Sequence, residues 1–377
     1  MNIQCVQDYS GFLRLRDEWN SLWGQSKTAS CFTSHDWIRC CWDELRLANK
    51  MRVFVVRRGT EPMIIAPWMR SRGYQHKLPV KRLTFIEHPE SQIADILCAD
   101  SPEAKDGFKQ LLTYLRRERS NDWQLLALNK VAHDSPVVQW LDHPAHLGQN
   151  LRPVQCTYPV FIVPLIGTWE DYLRSKSSRF RKTLRNIVNR IERMGNVAIH
   201  CHEGTELAVA TLQKLFSIAD ASWKLASGVA VTSSEGRRRF FEEVLRSSTI
   251  AEHMRIWFLE VNGQAVASEI QVVDRGTVYA LRSDYDEKYA DSSPGVYLQL
   301  EILKKLFGGD HQVYNFGVGL NPYKARWAEH TAGLVNYRIY NGTLYSRLLE
   351  VIDRNIGREA DIAPRGMVAA PYSGKDA

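Results

Sequence analysis

Two carboxylates and a guanidinium, Glu269, Asp284 and Arg282, lie on either side of an Arg275-Gly276 dipeptide. If that dipeptide forms a two-residue hairpin loop, Asp274 pairs with Thr277, Gln271 faces Ala280, Glu269 faces Arg282 and Ala267 faces Asp284. Ile270, Val272, Tyr279 and Leu281 then share the opposite, apolar face. A carboxylate on such a polar face can take a proton from an attacking amine or hydroxyl, directly or through water. Glu269 is the first candidate base and Asp284 the second, with Arg282 beside them on the substrate side. The same pattern also fits a solvated outer face with a cross-strand Glu–Arg pair, which contributes little. Both readings stay open.

A few residues on, Ser292-Ser293-Pro294-Gly295 ends an extended stretch and opens a helix. Free backbone N–H groups at a positive helix end suit a pyrophosphate. Pro294 fits the first helical turn, where its missing N–H costs little. Ser292 or Ser293 acting as a plain helix cap is the competing account. Tyr285, Tyr289, Tyr297 and Tyr323 could each protonate a departing group, although buried tyrosines more often pack with the hydroxyl on a partner. Lys324 follows a glycine-rich turn, where it could hold a phosphate or carboxylate or simply close the turn.

Arg174 to Arg193 contains eight Arg or Lys and one Glu, on the polar side of an amphipathic helix. A solvated face is the ordinary account of such a run. The alternative is an electrostatic platform for an anionic partner: a glycan precursor, a tRNA or a membrane surface. Phe180 is the single aromatic residue spaced along the helix, so specific single-strand nucleic-acid binding is not expected.

The elements that must position these groups can be read from periodicity and turn signals. Phe12, Leu15, Trp19, Leu22 and Trp23 recur at helical spacing, and Ser34 precedes a helix from His35. A hairpin follows with a turn at 58–61, then a helix over 108–115, a strand over 123–128 and a helix over 136–141. In the second half, helices are predicted over 179–194 and 206–223. Another begins where Thr232 and Glu235 have capping-box spacing. A meander then runs over 255–261, 264–273 and 277–284, turning at Asn262-Gly263 and Arg275-Gly276. A helix over 295–307, a strand over 313–316, a strand over 334–340 and a helix over 344–353 complete the order. The two halves are loosely alike, without a residue-level repeat.

At 377 residues the chain suits two domains. They are expected at 1–155 and 156–355, followed by a disordered tail over 356–377. Hydrophobic residues make up 44% and charged residues 24%, a globular balance. The net charge of +7 favours anionic partners. Seven scattered Cys without a CxxC pair argue against a disulfide framework or a structural zinc site, and no metal is expected. No signal peptide opens the chain, and no apolar run reaches the roughly 18 residues of a membrane helix. A soluble cytoplasmic protein is expected, with a peripheral role at the inner membrane face left open. HExxH, P-loop, GxSxG and Rossmann GxGxxG motifs are absent from the sequence.

Several of these features occur together, in order. Glu269 is on a strand, Tyr285 and Tyr289 follow the next, Ser293-Pro294-Gly295 opens a helix, and VYNFG precedes Tyr323-Lys324 and Trp327. With the basic helix RFRKTLRNIVNRIERMG and the early FTSHDWIRCCW, this resembles the CelD-type branch of the GNAT acetyltransferase superfamily. It is also similar to the FemAB-type peptidoglycan-bridge aminoacyltransferases. The resemblance extends over about residues 5 to 355. It implies an α/β protein of tandem GNAT-like folds that takes an acyl group, acetyl first, from coenzyme A. The acceptor would be an amine or hydroxyl of a small molecule or a cell-envelope precursor. It further implies a cofactor turn at Ser292, Ser293, Gly295 and Tyr297, and substrate contacts from Arg282, Tyr289, Asn315, Tyr323, Lys324 and Trp327. Similar sequences usually carry Asp at position 315, and their phosphate signature is fuller. Two other functions fit the same pattern, an aminoacyl-tRNA-dependent ligase and a non-catalytic assembly factor for polysaccharide export.

Overall fold

The computed structural model describes residues 1–143, 153–204, 209–319, 322–328 and 330–356. The chain divides into two compact units, Met1–Tyr158 with the stretch from Ala332, and Pro159–Thr331. The tail expected from residue 356 lies, apart from Ile356, outside the described residues, as does the start of the helix expected at 206.

The first unit runs β1 (Asn2–Val6), α1 (Tyr9–Arg14), α2 (Arg16–Gln25), α3 (His35–Leu45), β2 (Lys50–Arg58), β3 (Glu61–Gln75), β4 (Leu78–Phe85), β5 (Leu97–Cys98), α4 (Pro102–Glu118), β6 (Leu125–Ala132) and α5 (Pro136–Asp142). Strand β7 (Val154–Pro164) leads into the second unit: α6 (Trp169–Ser175), α7 (Ser178–Glu192), β8 (Val197–Glu203), α8 (Val209–Asp220), α9 (Trp223–Ala226), α10 (Glu235–Arg246), α11 (Ser248–Ala251), β9 (Met254–Val261), β10 (Gln264–Asp274), β11 (Thr277–Tyr285), α12 (Pro294–Leu306), β12 (Val313–Val318) and α13 (Pro322–Trp327). Strand β13 (His330–Tyr340) and α14 (Leu344–Ile356) end the described chain.

The units share one topology. In the first, β1, β2, β3 and β4 pair antiparallel in sequence, and the chain crosses through α4 before β6 returns parallel to β4. In the second, β8, β9, β10 and β11 do the same, and β12 returns parallel to β11 after α12. A parallel neighbour cannot follow through a tight turn, so each unit needs its crossover helix. The similarity foreseen between the halves is therefore a repeat of topology rather than of residues.

The division differs from the linear one at 155 and 355. Residues 334–340 pair antiparallel with β6, so β13 completes the first unit's sheet while β7 pairs with β12 in the second. Leu349 of α14 packs with Val80, Leu125 and Tyr340, and Asp353 accepts from His76 and Arg338. Pairing partners at large sequence separation leave no local mark, which is why a linear reading misplaces this segment.

The meander turns are where the sequence places them. Asn262-Gly263 and Arg275-Gly276 all have left-handed φ, at 53°, 78°, 48° and 77°, as a two-residue hairpin loop requires. The β3–β4 turn, His76-Lys77, uses the same conformation without a glycine, so sequence reading misses β4. The cap of α10 also differs. Ser234 accepts from Arg237 N and Glu235 is already helical, so Thr232 is not the cap.

Gly195 sets the entry to β8. Its φ is 134°, and an added Cβ would sit 2.0 Å from Asn262 Oδ1. That side chain is committed, accepting from Asn196 N at 2.9 Å and donating to Met194 O at 2.9 Å. Gly195→Ala is expected to cost about 2–3 kcal/mol, combining a disfavoured φ with the loss of two exposed hydrogen bonds. Gly263→Ala, with nothing within 4 Å of its Cβ position, is expected to cost about 1 kcal/mol. Urea midpoints at unchanged m-value would show this order, and equal midpoints would contradict it.

Candidate active site at the parting of β11 and β12

Strands β11 and β12 pair only at Thr277–Val313, Val278–Tyr314 and Tyr279–Asn315. Beyond that, β11 continues to Tyr285 while β12 turns away. Asn315 makes the turn: its Oδ1 accepts from Gly317 N at 2.8 Å, and Gly317 has φ 76°. Asp would accept that bond equally well, so Asn at this position preserves the bend. The parting leaves a notch along the outer edge of β11.

Glu269 faces the notch from β10. The predicted hairpin register holds from Asp274–Thr277 to Gln271–Ala280, and there a bulge intervenes. Ile270 pairs with Arg282, Glu269 with Ser283 and Ser268 with Asp284. One extra residue, Leu281, moves every later side chain of β11 to the other face. Glu269 and Asp284, expected on one polar face with Arg282, are therefore on opposite faces of the sheet.

Each carboxylate has its own surroundings. Glu269 is 1% exposed. Its Oε1 accepts from Tyr314 Oη at 2.6 Å and Gln271 Nε2 at 2.6 Å, and its Oε2 accepts from Ser283 Oγ at 2.8 Å. Trp257 Nε1 donates to Gln271 Oε1 at 2.9 Å and so fixes which end of that amide faces Glu269. Gln299 on α12 lies 3.1 Å from Tyr314 Oη. The one tyrosine proton goes to Glu269, so an amide nitrogen of Gln299 is the matching partner for the remaining lone pair. Burial pushes the Glu269 carboxyl above its usual range, while the three donors and the charge of Lys224 pull the other way.

Asp284, on the other face, is committed to two cations. Arg282 Nε is 2.7 Å from Oδ2 and Lys224 Nζ is 3.1 Å from Oδ1. Arg282 also donates to Val229 O at 2.6 Å, and Lys224 donates to Ser283 O. Burial disfavours the charge, yet Lys224 and Arg282 outweigh it and hold the carboxyl below its usual value. A carboxylate so occupied ties α9 and the loop after it to β11 and is a poor base. Arg282, expected to contact substrate, is spent on the same task.

The turn behind the notch is close to what a pyrophosphate needs. After a single 3₁₀ segment, Glu287–Ser292, Ser293 adopts φ 58°, ψ 51° and α12 begins at Pro294. Neither serine is a side-chain cap: Ser293 makes no such bond, and Ser292 Oγ donates to Tyr289 O at 2.6 Å. A left-handed non-glycine residue at a helix start carries a cost of about 1–2 kcal/mol. Gly295 has only Tyr285 near its absent Cβ, at 3.6 Å. Arg190 of α7 donates to Asp291 O, bringing the basic helix beside this turn.

Of the four tyrosines, Tyr285 has its ring 3.6 Å from the Cβ position of Gly295, and burial and Glu287 raise its phenol. Tyr289 donates to Gln264 at 3.2 Å, at the β9–β10 turn. Tyr297 is in the core cluster that α12 buries. Tyr323 is half-buried, edge-on to Phe316, and desolvation together with Glu269 raises its phenol well above the usual value. Trp327 is a core residue. Its ring meets Phe180 edge-to-face, and its carbonyl accepts from Tyr172 at 2.6 Å and Lys176 at 2.7 Å. Lys176 therefore leaves the surface platform expected over Arg174–Arg193. Arg179, Lys182, Arg185, Arg190 and Arg193 remain exposed.

Lys324 donates to Val318 O at 3.0 Å and Gly317 O at 3.3 Å, across the bend of β12. Among the described residues no carboxylate pairs with it, and burial, with Lys224 nearby, pulls its ammonium down to about 8. Sequence reading misses Ser283, Tyr314, Gln299 and Lys224. Only Tyr314 carried a signal, through VYNFG.

The first unit differs at the corresponding place. There, Ala94 N donates to Lys130 O on β6, three residues past the last β4 partner, Ala127. Lys130 Nζ donates to Ser91 O at 2.8 Å. The chain between β4 and β5 thus runs along β6 beyond its pairing with β4, where Ser91, Ala94 and Asp95 border a small recess with Phe32, Pro67 and Phe85. Asp95 there is pushed up to about 7 by burial.

Comparison with known proteins agrees with this asymmetry. Residues 178–325 match the acetyltransferase (GNAT) domain family. Among solved structures, FemX covers 93% of this chain and 100% of its own at 10% identity, with a TM-score of 0.53. The C-terminal DUF2156 domain of a putative lysylphosphatidylglycerol synthetase from Agrobacterium fabrum covers 92% and 96% at 13% identity, with a TM-score of 0.52. A conserved protein of unknown function from Bacteroides thetaiotaomicron covers 90% and 99% at 14% identity, with a TM-score of 0.54. At those identities the likeness is one of fold. No curated protein matches the chain. The fold is a tandem of GNAT-like units. The second unit is an acyltransferase domain, which makes the chain an acyltransferase. Among the described residues no helix is long and apolar enough to cross a membrane.

Proposed function

We propose that the second unit transfers an acyl group, acetyl first, from a coenzyme A thioester to an amine or hydroxyl of a small molecule or cell-envelope precursor. The observation that carries this reading is the notch itself. A buried carboxylate, Glu269, faces it, and behind it α12 begins without a side-chain cap. The pyrophosphate would sit on the first amides of α12, where the helix dipole favours negative charge. The thioester would lie along the free edge of β11. Glu269 takes the acceptor's proton, and Tyr285 protonates the departing sulfur. Lys324, half-buried and without a carboxylate partner among the described residues, would meet negative charge on the acceptor or the developing oxyanion.

Gly295→Glu tests the donor site. Its side chain meets little, and an acid in the first helical turn favours the helix by about 0.3–1 kcal/mol. Affinity for coenzyme A is nevertheless expected to fall by about tenfold or more, because the carboxylate occupies the phosphate position. Calorimetric titration with acetyl-CoA and longer acyl-CoAs reads this directly. Unchanged affinity in the variant would place the donor elsewhere.

A second reading has its own support. Arg179, Lys182 and Arg185 are exposed on α7, with Arg193 exposed at its C-terminal cap, and the helix reaches the same turn through Arg190; the resemblance to FemAB-type aminoacyltransferases, with the fold likeness to FemX, supports an aminoacyl-tRNA donor. That reading predicts a binding constant falling steeply with salt, at a log–log slope close to the number of phosphates engaged. Binding of acyl-CoA with one or two charges' worth of salt dependence supports the first reading instead.

A further inference from the structure

Glu269 is buried, and the question is how a proton from the acceptor reaches it. Its Oε1 is saturated by Tyr314 and Gln271. Among the described residues, Oε2 has one hydrogen-bond partner, Ser283 Oγ at 2.8 Å. The bulge at Leu281 places that serine opposite Glu269. Ser283 is exposed, on the stretch of β11 that β12 no longer covers. Its carbonyl is held by Lys224, which fixes the backbone at this point.

We infer that Ser283 is a catalytic residue: its hydroxyl receives the acceptor's proton in the notch and passes its own to Glu269. This rests on the acyl-transfer reading above. In the step, the acceptor nitrogen or oxygen bonds to the carbonyl carbon and the bond from that carbon to the donor's sulfur breaks. The sulfur leaves with the electron pair and takes a proton from Tyr285 or solvent. One proton moves from the acceptor to Ser283 Oγ as Ser283's proton moves to Glu269 Oε2, and Glu269 later returns it to solvent by the same path.

A hydroxyl suits this role because it accepts and donates at once. A carboxylate reaching the notch directly would need its own exposure and would lose the burial that raises its basicity. The alternative is that Ser283 only steadies Glu269. The two differ in what a substitution does. Losing a steadying donor raises the Glu269 pKa further, since that bond favours the charged form. It moves the acid limb of the pH profile upward but spares the plateau. Losing a relay lowers the plateau itself.

The test is the pH profile of kcat in the full chain, with an acyl-CoA and any acceptor that turns over, for Ser283→Ala, Ser283→Thr, Ser283→Gly and Glu269→Gln. Ser283→Ala is expected to lower plateau kcat by about 30- to 100-fold with the KM for acyl-CoA unchanged, a proton-transfer loss at the low end of general-base effects. Ser283→Thr keeps a hydroxyl on a strand that accepts β-branched residues and is expected within about threefold of the parent. Ser283→Gly leaves room for a water and is expected between the two. If Ser283→Ala keeps the plateau while Glu269→Gln abolishes it, the relay is wrong and the base stands. If Glu269→Gln keeps the plateau, the base and the relay both fall. Circular dichroism melts of each variant separate either outcome from misfolding.

Discussion

Glu269→Gln is expected to reduce turnover by about 10²- to 10⁴-fold, the range a positioned general base contributes, while the protein still folds. The amide is nearly isosteric and finds partners. Its oxygen can take the Oε1 place and accept from Tyr314 and Gln271, and its nitrogen can donate to Ser283 Oγ, which has lone pairs to offer. One donor must reverse, so a loss of about 1–2 kcal/mol is expected. The pH dependence gives a second check. Because burial raises the Glu269 carboxyl, kcat/KM should rise with pH through a value above the ordinary Glu range. The same shift has a stability sign. A raised carboxyl contributes stability that is present below the unfolded pKa and is lost as pH rises through the folded one. The Gln variant has no such loss, so its deficit against the parent should narrow toward neutral pH. A deficit that widens instead would mean Glu269 is stabilised as a charge.

Asp284→Asn is expected to do the reverse, costing stability and sparing chemistry. Asp284 is 2% exposed and balances Arg282 and Lys224. Removing its charge leaves a buried guanidinium uncompensated, for about 3–5 kcal/mol. The low end is the better figure, because Lys224 keeps some contact with water and is screened there. The melting temperature should fall by several degrees, with kcat of the folded fraction within a few-fold of the parent. Since Asp284 titrates below its usual value in the fold, its contribution is present above the ordinary Asp pKa and is lost as pH falls through the lowered one. The gap between parent and variant should therefore close in acid. A variant that melts normally and has lost turnover would return Asp284 to the list of bases.

These two expectations were one on the page of the sequence, where both carboxylates shared a face. The meander was legible because its turns carry left-handed residues, Asn262-Gly263 and Arg275-Gly276, between strands of clear alternation. The helix after β11 was legible from Pro294, and α7 from Leu184, Ile187 and Ile191 at helical spacing. The bulge was not. Leu281 looks like any strand residue, and what draws Arg282 and Asp284 to the far face are Val229 O and Lys224, dozens of residues away. Ser283 was invisible for the same reason, since its importance follows from the slip. Strand β13 was recognised as a strand and assigned to the wrong unit, because its partner β6 lies some two hundred residues earlier.

Local chemistry, then, determined where the chain turns, which helix opens behind the notch and that Glu269 lies on a strand beside it. Turn conformation, helix starts and alternation are short-range properties, written within a few residues. Which side of the sheet each carboxylate occupies was decided by tertiary structure alone. A register shift of one residue costs little locally, and it is settled by buried ion pairs and hydrogen bonds between distant segments.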